Sequence, residues 1–400
     1  MVRILQINVT ANNGSTGRIA EGIGNAIRDA GFESRIAWGR VGRDSSSRLI
    51  QIGNHWDCRW HGLESRLLDN HGQASRHATG ELIRQMEAIK PDIVHLHNIH
   101  GYYLNYPTLF QYLSKKDIPI VWTLHDCWSF TGHCTYFDYI GCNKWQTGCN
   151  NCPQGNSYPA SWLFDRSRQN WIDKKHFFTM PRRMTLVPVS RWLAELVQGS
   201  FLNRYPFRVI HNGIDIRNFR PHNSEAVKEK YGWQREKILL GVASVWSSRK
   251  GLADFVKLAN MLPSPYRLVL VGLSKKQMRR LPENMTAIPR TESIAELAEL
   301  YSVAEVFINP TWEDNFPTTN LESIACGTPV ITYRTGGSVE SIRPDTGIIV
   351  EQGDLGGVLN AVNYTTKNVE NCRNYALKHF RQEDRFLEYV KLYQEILQIK

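Results

Sequence analysis

The sequence lacks any uninterrupted apolar stretch that approaches the ~18 residues of a membrane-spanning helix. Its first ten residues contain only a short apolar stretch before Asn8, which indicates a first β-strand and not a secretory signal. Long basic runs, which mark nucleic-acid-binding tails, are also missing, and no internal repeat is visible. These absences predict a cytoplasmic protein that does not cross a membrane and has no nucleic acid partner.

The chain has fewer acidic than basic residues. The chain has 38 Asp and Glu against 48 Lys and Arg, which gives a net charge of +10. Excess positive charge indicates an anionic partner, such as a phosphate-bearing substrate or an acidic membrane face. Because the basic residues are scattered in small pairs such as Arg182-Arg183 and Arg279-Arg280, we expect a phosphate-rich ligand. Peripheral association with the cytoplasmic face of the inner membrane stays open.

The stretch from Asn309 to Val330, NPTWEDNFPTTNLESIACGTPV, has the clearest pattern in the chain. Val306–Asn309 ends an apolar run and is predicted to be a buried parallel strand. Pro310–Pro317 has turn chemistry, and Thr318–Ala325 is predicted to be a helix that Gly327 ends. The loop therefore follows the carboxyl end of a strand, which is where open α/β sheets bind ligands.

The chemistry of this loop suits a nucleotide sugar. The N-terminus of a helix at Thr318 offers backbone N–H groups and a positive dipole end to a phosphate. Glu322 lies about one helical turn further on, and Asp314 lies in the loop. A carboxylate accepts hydrogen bonds from paired sugar hydroxyls. An anion site between two such carboxylates predicts a nucleotide-sugar pocket.

The same stretch resembles the signature of retaining glycosyltransferases with the B-type fold, of the family-four or group-1 type. In that family a proline precedes a glutamate, seven intervening residues and a second glutamate, and the motif ends in Ala-Cys-Gly-x-Pro-Val. This chain has Pro310, Asp314, Glu322 and the ending Ala325 to Val330. It departs from the family in two places, because Asp314 replaces the first glutamate and Phe316-Pro317 replaces a Phe-Gly pair.

The resemblance implies a fold and a reaction. The fold is α/β, with two Rossmann-like domains that face each other across a cleft. Residues 1–215 form an acceptor-binding domain, residues 216–380 a nucleotide-sugar-binding domain, and residues 381–400 a helix that crosses back to the first domain. The reaction transfers a hexosyl group from a UDP- or GDP-sugar to an acceptor sugar with retention of configuration, and it requires no cofactor.

The resemblance also implies roles for individual residues. His125, at the end of a strand, touches the transferred sugar, and Arg249 with Lys250 neutralises the leaving pyrophosphate. The family arginine falls at Ser244, and whether Ser244 or Arg249 replaces it stays open. The expected catalytic residues are His125, Asp314, Arg249 and Lys250. The expected donor contacts are Gly14, Gly17, Arg249, Lys250, Arg290, Asn315, Phe316, Pro317, Thr318, Thr319 and Glu322.

Three further regions carry predictions about the first domain. A glycine-rich turn, Asn12–Gly17, precedes a helix predicted at Arg18–Ala30, and the family resemblance implies that this turn lies by the acceptor and the donor phosphates. The aromatic and basic stretch Ser157–Thr179 is expected to pack in the core or to form an amphipathic helix on a membrane or over the acceptor. Three histidines, His95, His97 and His100, cluster near the end of a strand predicted at Asp92–His97, and we expect acceptor-site or core roles for them in preference to metal binding.

Four of the eight cysteines fall within an insert at residues 127–153. They are Cys134, Cys142, Cys149 and Cys152, and their spacing is C-x7-C-x6-C-x2-C. Clustered thiols in a reducing compartment are more often metal ligands than disulfides. The sequence therefore predicts a structural zinc site, with His133 as an alternate ligand and unliganded or redox cysteines as the other interpretation.

The insert and the first-domain sequence resemble bacterial exopolysaccharide and lipopolysaccharide glycosyltransferases of the colanic-acid type. This resemblance implies a lipid-linked oligosaccharide acceptor at the inner leaflet. A nucleotide-sugar epimerase of the same architecture is one alternative, although the carboxylate spacing is that of a transferase. A zinc-containing nucleic-acid-binding protein would explain the charge and the cysteines but not the stretch from Asn309 to Val330.

Overall fold

The computed structural model describes residues 1–223, 225–279 and 281–399. The chain divides into two compact units. The first unit comprises residues 1–211 together with the C-terminal segment that starts at Arg385, and the second comprises Asn212–Asp384. Three predicted positions lie outside the described residues: Ser224 at the start of a predicted helix, Arg280 of a basic pair, and Lys400 at the end of the last helix.

The first unit is built on a parallel sheet of six strands in the order β3-β2-β1-β4-β5-β6. The strands are β1 (Arg3–Ala11), β2 (Glu33–Gly42), β3 (Arg48–Gln51), β4 (Ile93–Leu96), β5 (Ile120–Leu124) and β6 (Met184–Pro188). The helices are α1 (Gly14–Asp29), α2 (His55–Leu68), α3 (Arg76–Ile89), α4 (Tyr106–Lys116), α5 (Ser167–Phe178) and α6 (Arg191–Gln198).

The second unit has the same kind of sheet, with six parallel strands in the order β12-β11-β10-β7-β8-β9. The strands are β7 (Lys237–Val242), β8 (Tyr266–Val271), β9 (Met285–Ile288), β10 (Val306–Asn309), β11 (Val330–Tyr333) and β12 (Gly347–Val350). The helices are α7 (Glu225–Tyr231), α8 (Leu252–Ala259), α9 (Lys275–Met278), α10 (Ile294–Val303), α11 (Thr318–Ala325), α12 (Leu355–Tyr364) and α13 (Val369–His379).

Both sheets have central strands that are buried on both faces. Every residue of β4, β5, β10 and β11 is buried, as expected for parallel strands covered by helices. This arrangement explains why these segments are continuous apolar runs in the sequence. It also aligns the carboxyl ends of the strands along one edge of each sheet, where the loops that follow carry the polar residues described below.

The last helix, α14 (Gln382–Leu397), belongs to the first unit from Arg385 onward. Its Phe386 ring packs against Gly22 so closely that a Cβ at Gly22 would lie 2.1 Å from the ring. The Tyr393 hydroxyl lies 2.6 Å from Nδ1 of His95, and the Tyr389 hydroxyl accepts a hydrogen bond from Thr123 at 3.2 Å. Helix α14 therefore completes the core of the first unit.

Two sequence predictions in the first unit are wrong in detail. The helix expected at Arg18–Ala30 begins at Gly14, so Gly14 and Gly17 lie in its first turn. Only the second half of Ser157–Thr179 is helical, because α5 begins at Ser167. Within the described parts of the chain, no helix is both long and apolar enough to span a bilayer.

Replacing Phe386 by alanine is expected to destabilise the first unit by about 3 kcal/mol, because a buried phenyl ring is lost and a cavity remains. Hydrogen exchange of peptides from β1 and α1 measures this change, which corresponds to roughly a hundredfold faster exchange. Leu387→Ala is the matched control, since Leu387 is exposed on the same helix. Equal exchange in both variants would contradict the packing role of α14.

Candidate functional site

Two loops of the second unit meet at the carboxyl edge of its sheet, after the neighbouring strands β7 and β10. The backbone N–H of Trp312 donates to the carbonyl of Arg249 at 2.8 Å. Gly251 ends the first loop at a φ of +74°, and a Cβ there would lie 2.2 Å from the carbonyl oxygen of Pro310. Only glycine permits this close approach, which holds the two loops together.

This contact brings two basic side chains to one carboxylate. Lys250 Nζ donates to Oδ2 of Asp314, and Arg249 Nη1 lies 3.9 Å from the same oxygen. Arg249 also donates to the carbonyl of Glu313. The structure thus joins the predicted residues Arg249, Lys250 and Asp314 into one ion cluster with a surplus of one positive charge.

The cluster is shielded from water, and its charged groups shift one another's pKa values. Burial raises the pKa of the Asp314 carboxyl, but the charges of Lys250 and Arg249 outweigh that effect and leave this pKa below its ordinary value. Burial also lowers the pKa of the Lys250 ammonium, a shift that Asp314 opposes. Asp314 is therefore a carboxylate at neutral pH, with Lys250 and Arg249 as its partners. The surplus charge suits an anion such as a phosphate.

The backbone of Asp314 is fixed by a glycine turn that follows β11. The N–H of Gly337 donates to the carbonyl of Asp314 at 2.9 Å. Gly336 has a φ of +48°, and a Cβ there would lie 2.1 Å from the same carbonyl oxygen. The position of this carboxylate is therefore set by three loops, and not by its own segment alone.

Helix α11 begins directly after this loop, as the sequence predicts. Its first turn carries no acidic residue, and Pro317 at its N-cap makes no side-chain cap. Asn320 fixes this first turn, because its side chain accepts a hydrogen bond from Asn309 at 2.8 Å and donates one to the Ser341 hydroxyl at 3.0 Å. The backbone N–H groups at the start of α11 are thus held in place for an anionic ligand.

Glu322 lies one turn into α11 and is oriented by a buried tyrosine. The Tyr301 hydroxyl, on α10, donates to Oε2 of Glu322 at 3.0 Å. Sequence reasoning missed Tyr301 as a functional residue. The sequence did offer one signal, a tyrosine among the apolar residues of a predicted helix. A buried phenol needs a hydrogen-bond partner, so such a tyrosine indicates a polar contact.

The remaining predicted donor contacts differ in accessibility. Asn315, Phe316 and Pro317 are buried, and Thr318 and Thr319 are partly exposed at the start of α11. Arg290 is exposed after the edge strand β9, at the same edge of the sheet. Ser244 is exposed, while Arg249 lies with Lys250 at Asp314.

Gly14 and Gly17 lie in the first unit and have different surroundings. Gly14 has a φ of +68° and open space around its Cα hydrogens. Gly17 is buried, and a Cβ there would lie 2.6 Å from the Thr10 hydroxyl. Gly17 therefore serves the close packing of α1 against β1, and Gly14 alone of the two is exposed to a ligand.

His125 follows β5 and belongs to a hydrogen-bonded chain of side chains that includes two buried residues, His97 and Gln6. Its Nε2 lies 3.1 Å from Nδ1 of His97, and Nε2 of His97 lies 3.0 Å from Oε1 of Gln6. The Gln6 amide nitrogen donates to the carbonyl of Ala20, so Oε1 is the acceptor for His97. Burial lowers the pKa of His97 well below its ordinary value, which leaves this ring neutral.

The chain selects one tautomer of His125. Because Nε2 of His97 carries its proton toward Gln6, its Nδ1 is an acceptor and Nε2 of His125 must donate. Burial lowers the pKa of His125 to about 4, so at neutral pH its Nδ1 carries no proton. The unprotonated nitrogen of the His125 ring is therefore Nδ1. The role of Gln6 was not visible in the sequence, since it depends on the pairing of β1 with β4.

Next to His125, a cavity of about 420 Å³ opens in the first unit. Its lining includes Arg40, His100, Asp126 and Tyr158. Nε2 of His100 lies 2.8 Å from Oδ2 of Asp126. Burial raises the pKa of Asp126, but His100 and the backbone N–H of Trp128 outweigh it and lower the pKa overall. The cavity therefore offers a carboxylate, an arginine and aromatic rings, which suit a sugar.

The predicted structural zinc site is not supported. Cys134 and Cys152 form a thiol hydrogen bond with each other, which lowers the pKa of Cys152 to about 7. Cys149 accepts instead from the N–H of Gly132 at 3.2 Å. Across residues 1–223, 225–279 and 281–399, no three His, Cys, Asp or Glu side chains gather as metal ligands would. The spacing that includes Cys142 therefore does not produce a four-thiolate cluster.

A family model described as Glycosyltransferase Family 4 matches residues 16–218, which is just over half of the chain. The chain belongs to glycosyltransferase family 4. A second model, described as Glycosyl transferases group 1, matches residues 236–368, which include the ion cluster and α11. Family membership therefore rests on both units.

One curated relative of this family-4 chain is WcaC of Escherichia coli (strain K12), which is named as a colanic acid biosynthesis glycosyl transferase. The two are 29% identical over 228 residues, and the match covers 54% of this chain and 55% of WcaC. The chain thus spans about half the length of the curated relatives that it matches.

Two solved structures share the fold over nearly the whole chain. Sucrose-phosphate synthase from Thermosynechococcus elongatus has a TM-score of 0.73 at 16% identity and covers 100% of both chains. Anabaena Alr3699/HepE in complex with UDP has a TM-score of 0.68 at 14% identity and covers 98% of this chain and 100% of that chain. At such identities these likenesses show the fold, which is the α/β fold of B-type glycosyltransferases.

The hydrogen-bonded chain predicts that His125 is neutral and carries its proton on Nε2 between pH 8 and 5, since its pKa is lowered to about 4. Long-range ¹H–¹⁵N correlation of histidine-labelled protein measures the tautomer, and His125→Asn assigns the signal. Gln6→Leu removes the acceptor for His97 and should produce a mixture of His125 tautomers. A proton on Nδ1 of His125 in the unaltered protein would contradict the assignment.

Proposed function

We propose that this chain is a retaining glycosyltransferase that moves a hexosyl group from a UDP- or GDP-sugar to a lipid-linked saccharide acceptor in bacterial surface polysaccharide synthesis. The observation that carries the proposal is the ion cluster of Arg249, Lys250 and Asp314 beside the N-terminus of α11 and Glu322. One sheet edge thus offers an anion site and carboxylates for hydroxyls, which are the groups that a nucleotide sugar needs.

The donor is assigned to the second unit. Lys250, Arg249 and the first turn of α11 bind its diphosphate, because they supply the surplus positive charge and oriented N–H groups. Glu322, oriented by Tyr301, accepts from the ribose hydroxyls. Asp314 keeps one carboxylate oxygen on Lys250 and accepts a hydroxyl of the transferred sugar with the other. The UDP complex of Alr3699/HepE supports a nucleotide as ligand of this fold.

The chemistry requires no nucleophile from the protein. The bond between C1 of the sugar and the diphosphate oxygen breaks, and the acceptor hydroxyl bonds to C1 on the same face. The departing phosphate oxygen accepts the hydroxyl proton. The charges of Arg249 and Lys250 stabilise the departing diphosphate, because preorganised cations act most strongly where charge develops. His125 contacts the transferred sugar, as the family resemblance implies, and its ring is oriented by His97.

The acceptor is assigned to the cavity beside His125 in the first unit. Asp126, held by His100, accepts hydroxyls of the acceptor sugar, and Tyr158 provides an aromatic face. The relative WcaC supports an acceptor from surface polysaccharide synthesis through its name. With a lipid-linked acceptor, the enzyme works at the cytoplasmic face of the inner membrane, to which it binds peripherally.

A panel of UDP-, GDP- and ADP-sugars in a thermal-shift assay tests the donor assignment. One nucleotide sugar is expected to raise the melting temperature, because a ligand that binds only the folded state stabilises it. Glu322→Ala should weaken that donor at least tenfold, since a hydrogen bond to a charged group contributes about 1.5–3 kcal/mol. Glu351→Ala, at an exposed ion pair, is the control. Full donor affinity in Glu322→Ala, or no stabilisation by any panel member, would contradict the proposal.

A further inference from the structure

Helix α2 exposes its apolar face and buries a polar one. Its buried residues are His61, Gly62 and Ser65. Trp56 and Trp60 are 72% and 68% exposed, and Leu63 is also exposed. These three residues are four and three positions apart, so they lie on one side of the helix. A surface helix normally has the reverse arrangement, and exposed apolar patches mark interaction sites.

A neighbouring loop extends this face. Trp162, Leu163 and Phe164 are three consecutive exposed apolar residues, and Leu163 is 67% exposed. The loop is attached to α2, because the N–H of Trp162 donates to the carbonyl of Arg66 at 2.6 Å. The Arg66 guanidinium also lies 5.8 Å from the centre of the Trp162 ring. Helix and loop therefore form one continuous surface.

Two arginines, Arg59 and Arg66, lie within this surface. The Arg59 guanidinium lies 5.3 Å from the Trp56 ring, and Arg66 donates to the carbonyl of Gly62. Among the described residues, neither arginine takes part in an ion pair with a carboxylate. The acids of α2 are engaged elsewhere, since Asp57 caps the helix at Asn54 and Glu64 contacts Asn70.

We propose that this aromatic docking surface binds an anionic lipid bilayer. It consists of Trp56, Arg59, Trp60, Leu63, Arg66, Trp162, Leu163 and Phe164. Tryptophans prefer the headgroup region of a bilayer, and arginines beside them attract anionic lipids. The net charge of +10 favours the same partner. This inference rests on the proposed function, because a lipid-linked acceptor is the reason for the protein to bind a membrane.

The docking surface adjoins the cavity assigned to the acceptor. Arg66 lies over the Tyr102 ring, whose centre is 6.0 Å from that of Tyr158. Tyr158 and Arg40 line the cavity, and the charges of Arg40 and Arg66 both act on the Tyr158 phenol. A bilayer at the docking surface therefore lies beside the cavity. The headgroup phosphates of a lipid-linked sugar would meet Arg40 and Arg66 there.

Sedimentation with vesicles tests the proposal on the full chain. Vesicles of phosphatidylcholine with one third phosphatidylglycerol should bind the protein, and 0.5 M salt or pure phosphatidylcholine should weaken binding. Trp56→Ser with Trp60→Ser, or Trp162→Ser with Leu163→Ser, should each reduce the partition coefficient at least tenfold. Tyr364→Ser is the control, since Tyr364 is exposed on α12 of the second unit.

The outcomes separate this inference from the proposed function. Unchanged donor stabilisation in the tryptophan variants shows that they fold, so a loss of vesicle binding alone supports the docking surface. Equal vesicle binding by these variants, or no binding by the unaltered chain, would overturn it. A dimer that the same substitutions dissociate would also overturn it in favour of a second copy as the partner. Vesicle binding without any donor binding would instead contradict the proposed function and leave the docking surface standing.

Discussion

The contact of Lys250 with Asp314 is the interaction on which the candidate site depends. It joins the loops that follow β7 and β10, and Arg249 adds a second cation to the same carboxylate. A buried carboxylate without a partner would cost several kcal/mol, so the loops are kept together by the need to pair it. One positive charge is left over in this cluster, and α11, whose N-terminus offers backbone N–H groups, begins four residues after Asp314. The anion site is therefore a product of loop packing.

In the first unit, the histidines near the strand ends are held by uncharged side chains. Its histidines near the strand ends are buried and linked by hydrogen bonds to Gln6, Thr123 and Tyr393. Burial lowers the pKa of His95, His97 and His125, so each ring has one donor and one acceptor. Such a chain orients His125 through uncharged groups.

Sequence reasoning predicted what local pattern determines. Helix α11 has the bounds expected from its flanking proline and glycine, and β10 and β11 were recognisable as apolar runs. It could not show that Lys250 contacts Asp314, because that contact depends on the sheet order that places β7 beside β10. Tyr301, Gln6 and Asn320 were missed for the same reason. The thiol spacing suggested zinc, but spacing alone does not establish that side chains converge. The outward direction of Trp56 and Trp60 likewise depends on how α2 packs.

Titration calorimetry with a nucleoside diphosphate tests most directly whether the ion cluster is the donor's anion site. The diphosphate of the preferred nucleotide sugar is expected to bind the unaltered chain. Lys250→Ala should weaken it roughly 10- to 100-fold, since a charge-assisted hydrogen bond contributes about 1.5–3 kcal/mol. Lys257→Ala, at an exposed position of α8, should bind as the unaltered chain does. Equal affinity in the Lys250 and Lys257 variants would contradict the account.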